Sequence, residues 1–513
     1  MNLSQLFEQN ASKRPDKMAL YYENRSYTYA ELNNEINKLA HGLANLGVKK
    51  GEKIALMMKN SDHFVISYYA CIKMGFILVP MNFRLVEREI TYIMDQSDCM
   101  MVICDTEFED VVVKAGKNVS AIRQIIVTEN PKTEETLSLQ NVLSKNTANP
   151  LTKIESSDDI HILYTSGTTG NPKGALFDHQ RALNVMLAIT GTLGYNSEEK
   201  YIHIAPLFHA AQLVICLISG LSLGGTHVIH CDFNPEVVFK DIEKHQITNF
   251  FAVPTIFSAL LSYPDKDRYD VSSIKRFTYG AAPMSASLVN ACMDFFKSPN
   301  FYSLCGLTEG GPSGIYLTPA EHFTKKGSAG KDALWMTESK MVLPDGSEAK
   351  SGEVGELILK GFTIMKEYYK KPQETAETLR NGWLYTGDLG VKDDDGYVYI
   401  LDRSKDMIIT GGENVYSVEV ENILGGHPQI ADVAIVGTPD IVWGEIVTAV
   451  IVTKPNETID LKELDIYCRE HLAAFKIPRK AVFQDELPRN ASGKLMKFKL
   501  REWVSSDTQN VNK

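Results

Sequence analysis

The sequence has few cysteines and no closely spaced pair of them. Eight cysteines are scattered over 513 residues, and no two form a Cys-x-x-Cys motif. This spacing disfavours a disulfide framework and favours reduced thiols, as in cytoplasmic proteins. We therefore expect a cytoplasmic protein in which most of the cysteines are small core residues.

The sequence also lacks an apolar run long enough to cross a bilayer. The longest run, residues 210–223, is interrupted by Gln212 and Ser219, among others, and falls short of the ~20 residues that a spanning helix needs. It predicts a buried helix instead. The first residues, MNLSQLFEQN, lack the charged and apolar segments of a signal peptide, so we expect the chain to stay where it is made. Peripheral contact with a membrane stays open.

Basic residues are fewer than acidic ones, so the formal net charge is -11. Proteins that bind a nucleic-acid backbone usually carry a basic face, so nucleic acid is not an expected partner. The shares of hydrophobic residues (44%) and charged residues (23%) are ordinary and favour a soluble globular chain over a disordered one. At roughly 150 residues per domain, the length predicts about three folding units, which is ample for an enzyme acting on small molecules.

The chain alternates between strand-like and helical patterns. Apolar runs at residues 53–58, 76–81 and 101–104 alternate with helical patterns such as residues 29–47, which predicts an α/β fold. From about residue 340 the pattern changes to short strands with Gly and Asp turns, which indicates a small β-rich part. We predict an N-terminal domain at 1–401, whose β-rich part covers about 340–401, and a separate C-terminal domain at 402–513.

The segment TSGTTGNPKG, residues 165–174, is the strongest local signal, and we call it the phosphate loop. Glycines let successive backbone N–H groups face one anion, hydroxyl groups add donors, and a lysine neutralises charge. It is not a Walker loop, because Lys173 is followed by Gly174 and a strand-like run. A flexible surface turn is the alternative, and Pro172 favours the phosphate interpretation. The predicted phosphate-binding residues are Thr165, Ser166, Gly167, Thr168, Thr169, Gly170 and Lys173.

Short apolar runs on both sides of the phosphate loop predict strands, and Asp178 is placed to cap a helix that begins at His179. A zinc site at His227, His230 and Cys231 is not expected. The alternation in THVIHCD indicates a strand, which would send the two histidines to opposite faces.

The phosphate loop resembles the signature of the adenylate-forming superfamily, which includes acyl-CoA synthetases, luciferases and peptide-synthetase adenylation domains. Eight further segments resemble superfamily blocks in the same order: PLFHAA, YGAAP, GLTE, GELILKG, WLYTGDLG, DRSKDMIITGGENV, WGE and PRNASGK. Together with the N-terminal region they cover nearly the whole chain. The resemblance implies a large N-terminal domain of α/β subdomains with a small β-rich, distorted barrel, followed by a small mobile α+β domain.

The resemblance also implies a two-step reaction. A carboxylate attacks the α-phosphate of ATP to give an acyl-adenylate and pyrophosphate, and the thiol of coenzyme A then displaces AMP. Lys494 resembles the cation that assists the first step, and Glu309 resembles the carboxylate that holds Mg²⁺, with Thr308 as a phosphate donor. Asp388 and Arg403 resemble the pair that binds the ribose hydroxyls.

Other positions carry further implied roles. The segment Gly280, Ala281 and Ala282 resembles the wall beside adenine, but Cys305 stands where the superfamily usually has a stacking aromatic. Asp402 matches the hinge of the mobile domain, and Ser417 stands where many members have proline, which predicts a looser start of the following helix. The residues implied to line the coenzyme A channel are Gly411, Gly412 and Glu413.

His209 resembles the residue between the nucleotide site and the acyl tunnel, although it could also be a core histidine.

The segment PLFHAAQ has no aspartate to pair with an amino-acid substrate, and the predicted lining segments AAQLVICL, FAVPTIF and GGPSGIY contain no arginine. An apolar acid is therefore expected. The blocks IMKEYYKKPQET and KDMIITGGENVY look most like medium- to long-chain fatty acyl-CoA synthetases, which implies a place in fatty acid and lipid metabolism. Transfer to a carrier protein, another small or aromatic acid, and a non-catalytic nucleotide-binding scaffold stay open.

Overall fold

The computed structural model describes residues 1–165, 171–282, 284–489 and 495–510, and side chains as far as residue 504. The chain divides into two compact units. The first comprises Met1–Thr324, Asp332–Ser339 and Leu359–Leu384, and the second comprises Lys325–Lys331, Lys340–Ile358 and Tyr385–Lys513. The predicted domain boundary at residues 401 and 402 stays a prediction.

One eight-stranded sheet of the first unit carries the flanks of the phosphate loop. Its strands in chain order are β3 (Lys53–Met57), β4 (Ile77–Pro80), β5 (Cys99–Cys104), β6 (Gln124–Val127), β7 (Thr136–Ser138), β8 (Asp159–Thr165), β9 (Lys173–Asp178) and β19 (Glu367–Tyr368). In space they follow the order β19-β9-β8-β4-β3-β5-β6-β7. The pairs among β3 to β7 are parallel, and β5 is buried at every position, as expected for a sheet covered on both faces.

A second, nine-stranded sheet completes the main core of the first unit. Its strands are β1 (Met18–Tyr22), β2 (Arg25–Thr28), β10 (Lys200–His203), β11 (Thr226–Ile229), β12 (Asn249–Ala252), β13 (Arg276–Gly280), β14 (Phe301–Gly306), β15 (Gly314–Leu317) and β16 (Asp332–Ala333). Strands β10 to β14 are parallel, whereas β15 returns antiparallel to β14. The turn between β14 and β15 carries Glu309.

Helices join the strands of these sheets. They are α1 (Leu3–Lys13), α2 (Tyr29–Asn45), α3 (Asp62–Met74), α4 (Glu87–Gln96), α5 (Glu109–Gly116), α6 (Leu139–Val142), α7 (His179–Leu193), a π-helix (Ala211–Ile218), α8 (Ser219–Leu223), α9 (Pro235–His245), α10 (Pro254–Leu261), α11 (Ala286–Phe296) and α12 (Pro372–Thr378). The predicted cap is confirmed, since the Asp178 carboxylate accepts the N–H of Arg181 at 2.8 Å. The predicted buried helix is confirmed too, although its first part is a π-helix.

Two smaller sheets follow. One contains β17 (Thr337–Val342), β18 (Val354–Gly361), β20 (Leu379–Arg380), β21 (Trp383–Lys392) and β22 (Val398–Arg403), which gives the predicted β-rich part. The other contains β23 (Ile408–Thr410), β24 (Glu413–Val415), β25 (Ile430–Asp440), β26 (Gly444–Thr453) and β27 (Lys480–Phe483). Among the described residues, the second unit has the α-helices α13 (Ser417–Leu424), α14 (Leu461–Arg469) and α15 (Lys497–Asn510).

The cysteines behave as the sequence predicts. Six of the eight are buried, Cys231 and Cys305 are half-buried, and none forms a disulfide. His227 and His230 also have different partners, as the strand pattern predicts: His227 Nδ1 lies 2.8 Å from His203 Nε2, whereas His230 Nε2 lies 3.1 Å from Asp241. In the part of the chain that the structure describes, no helix is long and apolar enough to cross a membrane.

We expect buried histidines to make the first unit sensitive to acid. Burial lowers the pKa of His161 and of His203 to about 3, and that of His179 to about 4. The unfolded chain therefore binds more protons than the folded chain between pH 6.5 and about 4, so the stability present above pH 6.5 is lost as the pH falls. We expect the free energy of unfolding to fall by up to about 1.4 kcal/mol per pH unit for each such histidine.

Urea unfolding at several pH values from 7.5 to 5 measures this slope, and a His203→Gln variant should show a shallower one. A free energy of unfolding that stays constant down to pH 5 would contradict the prediction.

Candidate functional site

The two ends of the phosphate loop face each other across a strand pair. Thr165 ends β8 and Lys173 begins β9, and the antiparallel register places these two residues opposite one another. The strands predicted on both sides of the loop are thus confirmed. The predicted phosphate-binding residues Ser166, Gly167, Thr168, Thr169 and Gly170 lie outside the described residues, as does Lys494.

Glu309 reaches the same place from the second sheet of this unit. It lies in a short 3-10 turn, Thr308–Gly310, and is 8% exposed. Its Oε1 accepts hydrogen bonds from the Tyr368 hydroxyl at 2.8 Å and from the Thr165 hydroxyl at 3.3 Å. Lys173 Nζ in turn lies 4.7 Å from the centre of the Tyr368 ring. A carboxylate, a cation and a hydroxyl donor therefore converge at the end of the phosphate loop.

The predicted adenine wall is a tightly constrained backbone. Gly280 ends β13 opposite Leu304, and a Cβ added to it would lie 2.4 Å from the Leu304 carbonyl oxygen, so only glycine fits. Ala281 has a φ of 65°, which is a left-handed conformation that costs energy for a residue with a Cβ and is frequent at functional sites. Cys305 follows Leu304 on β14 and is half-buried.

His209 lies just before the π-helix, the kind of irregular turn that often marks functional sites. Its ring packs against Phe208 with 4.4 Å between ring centres. Among the described residues, His209 Nε2 is buried without a hydrogen-bond partner. Burial, and secondarily the charge of Arg84, lowers the pKa of His209 to about 4, so the imidazole is neutral near pH 7.

In the second unit, Asp388 and Arg403, the two residues with a predicted ribose role, form an ion pair. They lie opposite one another on β21 and β22, and Arg403 Nε is 2.8 Å from Asp388 Oδ1. The Asp388 backbone N–H donates to the Thr386 hydroxyl at 3.1 Å, which fixes the strand at this point. The guanidinium orients a carboxylate that is able to accept two hydroxyl donors.

Asp402, the predicted hinge, has a buried carboxylate with several donors. Its Oδ1 accepts the N–H of Arg403 at 2.7 Å, and its Oδ2 accepts the N–H and the hydroxyl of Ser417 at 2.6 and 2.5 Å. Lys497 also donates to the Ser417 hydroxyl, and it pairs with Glu421 at 2.8 Å. Ser417 therefore anchors the first turn of α13, where the sequence predicted a looser start, because it supplies two donors that proline lacks.

The predicted coenzyme A residues form a glycine turn between β23 and β24. Gly411 and Gly412 have φ values of 60° and 87°, and Glu413 begins β24. The Gly411 N–H donates to the Trp443 carbonyl at 2.8 Å, and an added Cβ on Gly411 would lie 2.8 Å from the Trp443 ring. An added Cβ on Gly412 would meet nothing within 4 Å.

Sequence reasoning missed the two aromatic residues that support these sites. Tyr368 links Glu309 to Lys173, and Trp443 packs against Gly411 while Arg479 stacks on its ring at 4.0 Å. Both lie inside segments that resemble superfamily blocks, but neither segment shows which partner the side chain contacts.

Comparison with known proteins identifies the family to which the chain belongs. The family model described as AMP-binding enzyme matches residues 7–369, and the model of the AMP-binding enzyme C-terminal domain matches residues 419–494. The chain belongs to the AMP-binding enzyme family.

Curated relatives and solved structures agree with this family. The chain is 35% identical to a feruloyl-CoA synthase of Amycolatopsis sp over 96% of each chain. It is 33% identical to the long-chain-fatty-acid–CoA ligase FadD13 of Mycobacterium tuberculosis, over 98% of this chain and 99% of the relative. The crystal structure of the anthranilate CoA ligase AuaEII with anthranoyl-AMP superimposes with a TM-score of 0.89 at 28% identity, covering 98% of this chain and 97% of that chain.

These findings show that the chain is an AMP-forming acid–CoA ligase, a class of enzymes whose substrates are ATP and coenzyme A. They also establish the predicted fold, a large N-terminal α/β part and a small C-terminal domain. The scaffold alternative is thereby set aside.

Proposed function

We propose that this enzyme activates an apolar carboxylic acid, most simply a fatty acid, as its acyl-adenylate and then transfers the acyl group to coenzyme A. The observation that supports the nucleotide part is the convergence of Thr165, Lys173 and Glu309 at the end of the phosphate loop. We also propose that the enzyme is cytoplasmic, that it acts on small-molecule substrates and that it takes part in fatty acid metabolism.

In the first step, a carboxylate oxygen forms a bond to the α-phosphorus of ATP as the bond to pyrophosphate breaks. Two anions must approach while charge builds on the α-phosphate, so fixed donors and cations lower the barrier. Lys173 and the loop hydroxyls hold the β- and γ-phosphates in this scheme, and Lys494 stabilises the charge on the α-phosphate. Asp388 and Arg403 hold the ribose, which fixes the direction of attack.

Glu309 fits the predicted magnesium ion. A buried carboxylate with free lone pairs is a hard oxygen ligand, and Mg²⁺ usually takes only one or two carboxylates and completes its shell with phosphate oxygens and water. When bound, Mg²⁺ would neutralise phosphate charge.

In the second step, the thiol sulfur of coenzyme A attacks the acyl carbonyl, AMP leaves with the bonding electrons, and the thiol loses its proton. Gly411 and Gly412 would let a narrow pantetheine arm pass, since a larger residue at 411 would strike Trp443. We propose that Asp402 is the hinge of the mobile C-terminal domain, and that rotation about it makes the Gly411–Gly412 turn available for the second step.

The acid is expected to lie along apolar side chains of β8, β9, α7 and the π-helix. A space there is too narrow for a water molecule, so a bound acid would have to separate the side chains around it. Its lining is mostly apolar but includes one histidine: His161, Leu163, Phe177, Ala182, Val185, Val214, Gly311 and Pro312. Val214 and Pro312 belong to two of the segments predicted to line the pocket. Each buried CH₂ group contributes about 0.8 kcal/mol, which favours a fatty chain but discriminates poorly between neighbouring lengths.

A panel of acids tests the proposal. Pyrophosphate exchange into ATP, measured with C4 to C18 fatty acids, ferulate, anthranilate and succinylbenzoate, should be fastest with a fatty acid. AMP release should then require coenzyme A. Faster exchange with an aromatic acid would identify an aryl-CoA ligase, which the similarity to feruloyl-CoA synthase makes the second candidate. AMP release that responds to an acyl carrier protein and not to coenzyme A would overturn the second half of the proposal.

A further inference from the structure

Tyr368 occupies a place in the first unit that no predicted role accounts for. It is 4% exposed and lies on the two-residue strand β19, opposite Ala175 of β9. Its neighbours Lys366 and Tyr369 donate backbone hydrogen bonds to β9 at 2.9 and 2.8 Å. Its own N–H donates to the Thr375 hydroxyl at 3.0 Å. The backbone of Tyr368 is therefore held on both sides.

The side chain of Tyr368 contacts two of the proposed nucleotide-binding groups in different ways. Its hydroxyl donates to Glu309 Oε1 at 2.8 Å, and the face of its ring lies 4.7 Å from Lys173 Nζ. The Glu309 loop is fixed to the same segment, because the N–H of Met365 donates to the Glu309 carbonyl at 2.8 Å. One residue thus orients a carboxylate through its hydroxyl and a cation through its ring.

We propose that Tyr368 is a positioning residue for the magnesium–nucleotide site, an inference that rests on the proposed role of Glu309. The hydroxyl fixes the Glu309 carboxylate and leaves its remaining lone pairs for the metal ion. The ring holds the Lys173 ammonium at the end of the phosphate loop through a cation–π contact. Removing the partner of a metal-binding carboxylate typically costs 10- to 100-fold in metal affinity, which sets the expected size of the effect.

Tyr369 provides a matched control. It is the next residue, and its hydroxyl also donates to a carboxylate, Asp98, at 2.9 Å, while its ring faces Lys53 at 5.1 Å. A Tyr369→Phe variant therefore loses the same kind of hydrogen bond at a place with no proposed contact to nucleotide. Any general effect of deleting a tyrosine hydroxyl from this segment should appear in both variants.

The test is equilibrium binding of ATP, measured by calorimetry without acid at a series of Mg²⁺ concentrations. We expect Tyr368→Phe to need about 10- to 100-fold more Mg²⁺ for half-maximal ATP binding, with unchanged affinity at saturating Mg²⁺. Tyr369→Phe should match the wild type. Tyr368→Leu should also bind ATP more weakly at saturating Mg²⁺, because Lys173 loses the ring.

The outcomes separate the inference from the proposed function. A wild-type Mg²⁺ requirement in Tyr368→Phe, or an equal shift in Tyr369→Phe, would overturn the positioning role alone. If ATP binding to the wild type does not depend on the Mg²⁺ concentration, the proposed role of Glu309 is wrong, and the inference is wrong with it. If Tyr368→Phe does not fold, Tyr368→Leu also removes the hydroxyl donor to Glu309 and should raise the Mg²⁺ requirement in the same direction; no change would overturn the inference.

Discussion

Replacing Lys494 with alanine is expected to slow formation of the acyl-adenylate by about 10² to 10³-fold, the usual loss on removing one preorganised transition-state donor. The reason is that no other predicted cation is assigned to the α-phosphate as two anions approach each other. The measurement is acid-dependent exchange of pyrophosphate into ATP. Acetylation of Lys494 should have the same effect, because it removes the charge.

Lys499 supplies the matched control for this variant. It is an exposed lysine five positions along the chain, on α15, and it has no assigned role. Lys499→Ala should keep the wild-type exchange rate, and Lys494→Ala should still convert added acyl-adenylate and coenzyme A to product. Full exchange activity in Lys494→Ala, or an equal loss in Lys499→Ala, would contradict the assignment.

Replacing Asp402 with proline is expected to impair thioester formation by about tenfold or more while it spares adenylation, because proline fixes φ at the proposed hinge. The change also removes the buried carboxylate that accepts both donors of Ser417. Leaving those donors unpaired costs about 1–3 kcal/mol each, so some loss of stability should accompany the kinetic effect. The two half-reactions are measured separately, with urea unfolding alongside.

Ser417→Ala separates the two effects, since it removes the hydroxyl donor to Asp402 without constraining the backbone at 402. It should lower the free energy of unfolding but leave the ratio of the two half-reactions unchanged. An intact thioester step in Asp402→Pro, or the same loss in Ser417→Ala, would remove Asp402 from the hinge.

Local patterns in the sequence predicted the features that depend on neighbouring residues. The strands beside the phosphate loop follow from short apolar runs, and the cap of α7 follows from Asp178 directly before a helical pattern. The resemblance to known enzymes predicted a shared ribose role for Asp388 and Arg403, whereas the ion pair between them follows from the register of β21 and β22. For the strands and the cap, a short segment contains the physical cause.

Contacts between distant segments could not be predicted in this way. Tyr368 reaches Glu309 across 59 positions, and its two-residue strand has no recognisable period. The hydrogen bonds from Ser417 to Asp402 depend on how α13 packs against β22. The sequence alone showed only that Ser417 replaces a proline, and it did not show the two hydrogen bonds that the serine donates. The identity of the acid is harder still to predict, because an apolar pocket of the kind proposed for it discriminates poorly between neighbouring chain lengths.

The most direct test of the central claim is a crystal structure with Mg²⁺ and a non-hydrolysable ATP analogue. We expect the β- and γ-phosphates to lie against the backbone amides of the phosphate loop, with Lys173 nearby, Glu309 beside the metal and the ribose on Asp388. Phosphates bound elsewhere, with the loop amides facing solvent, would contradict the account.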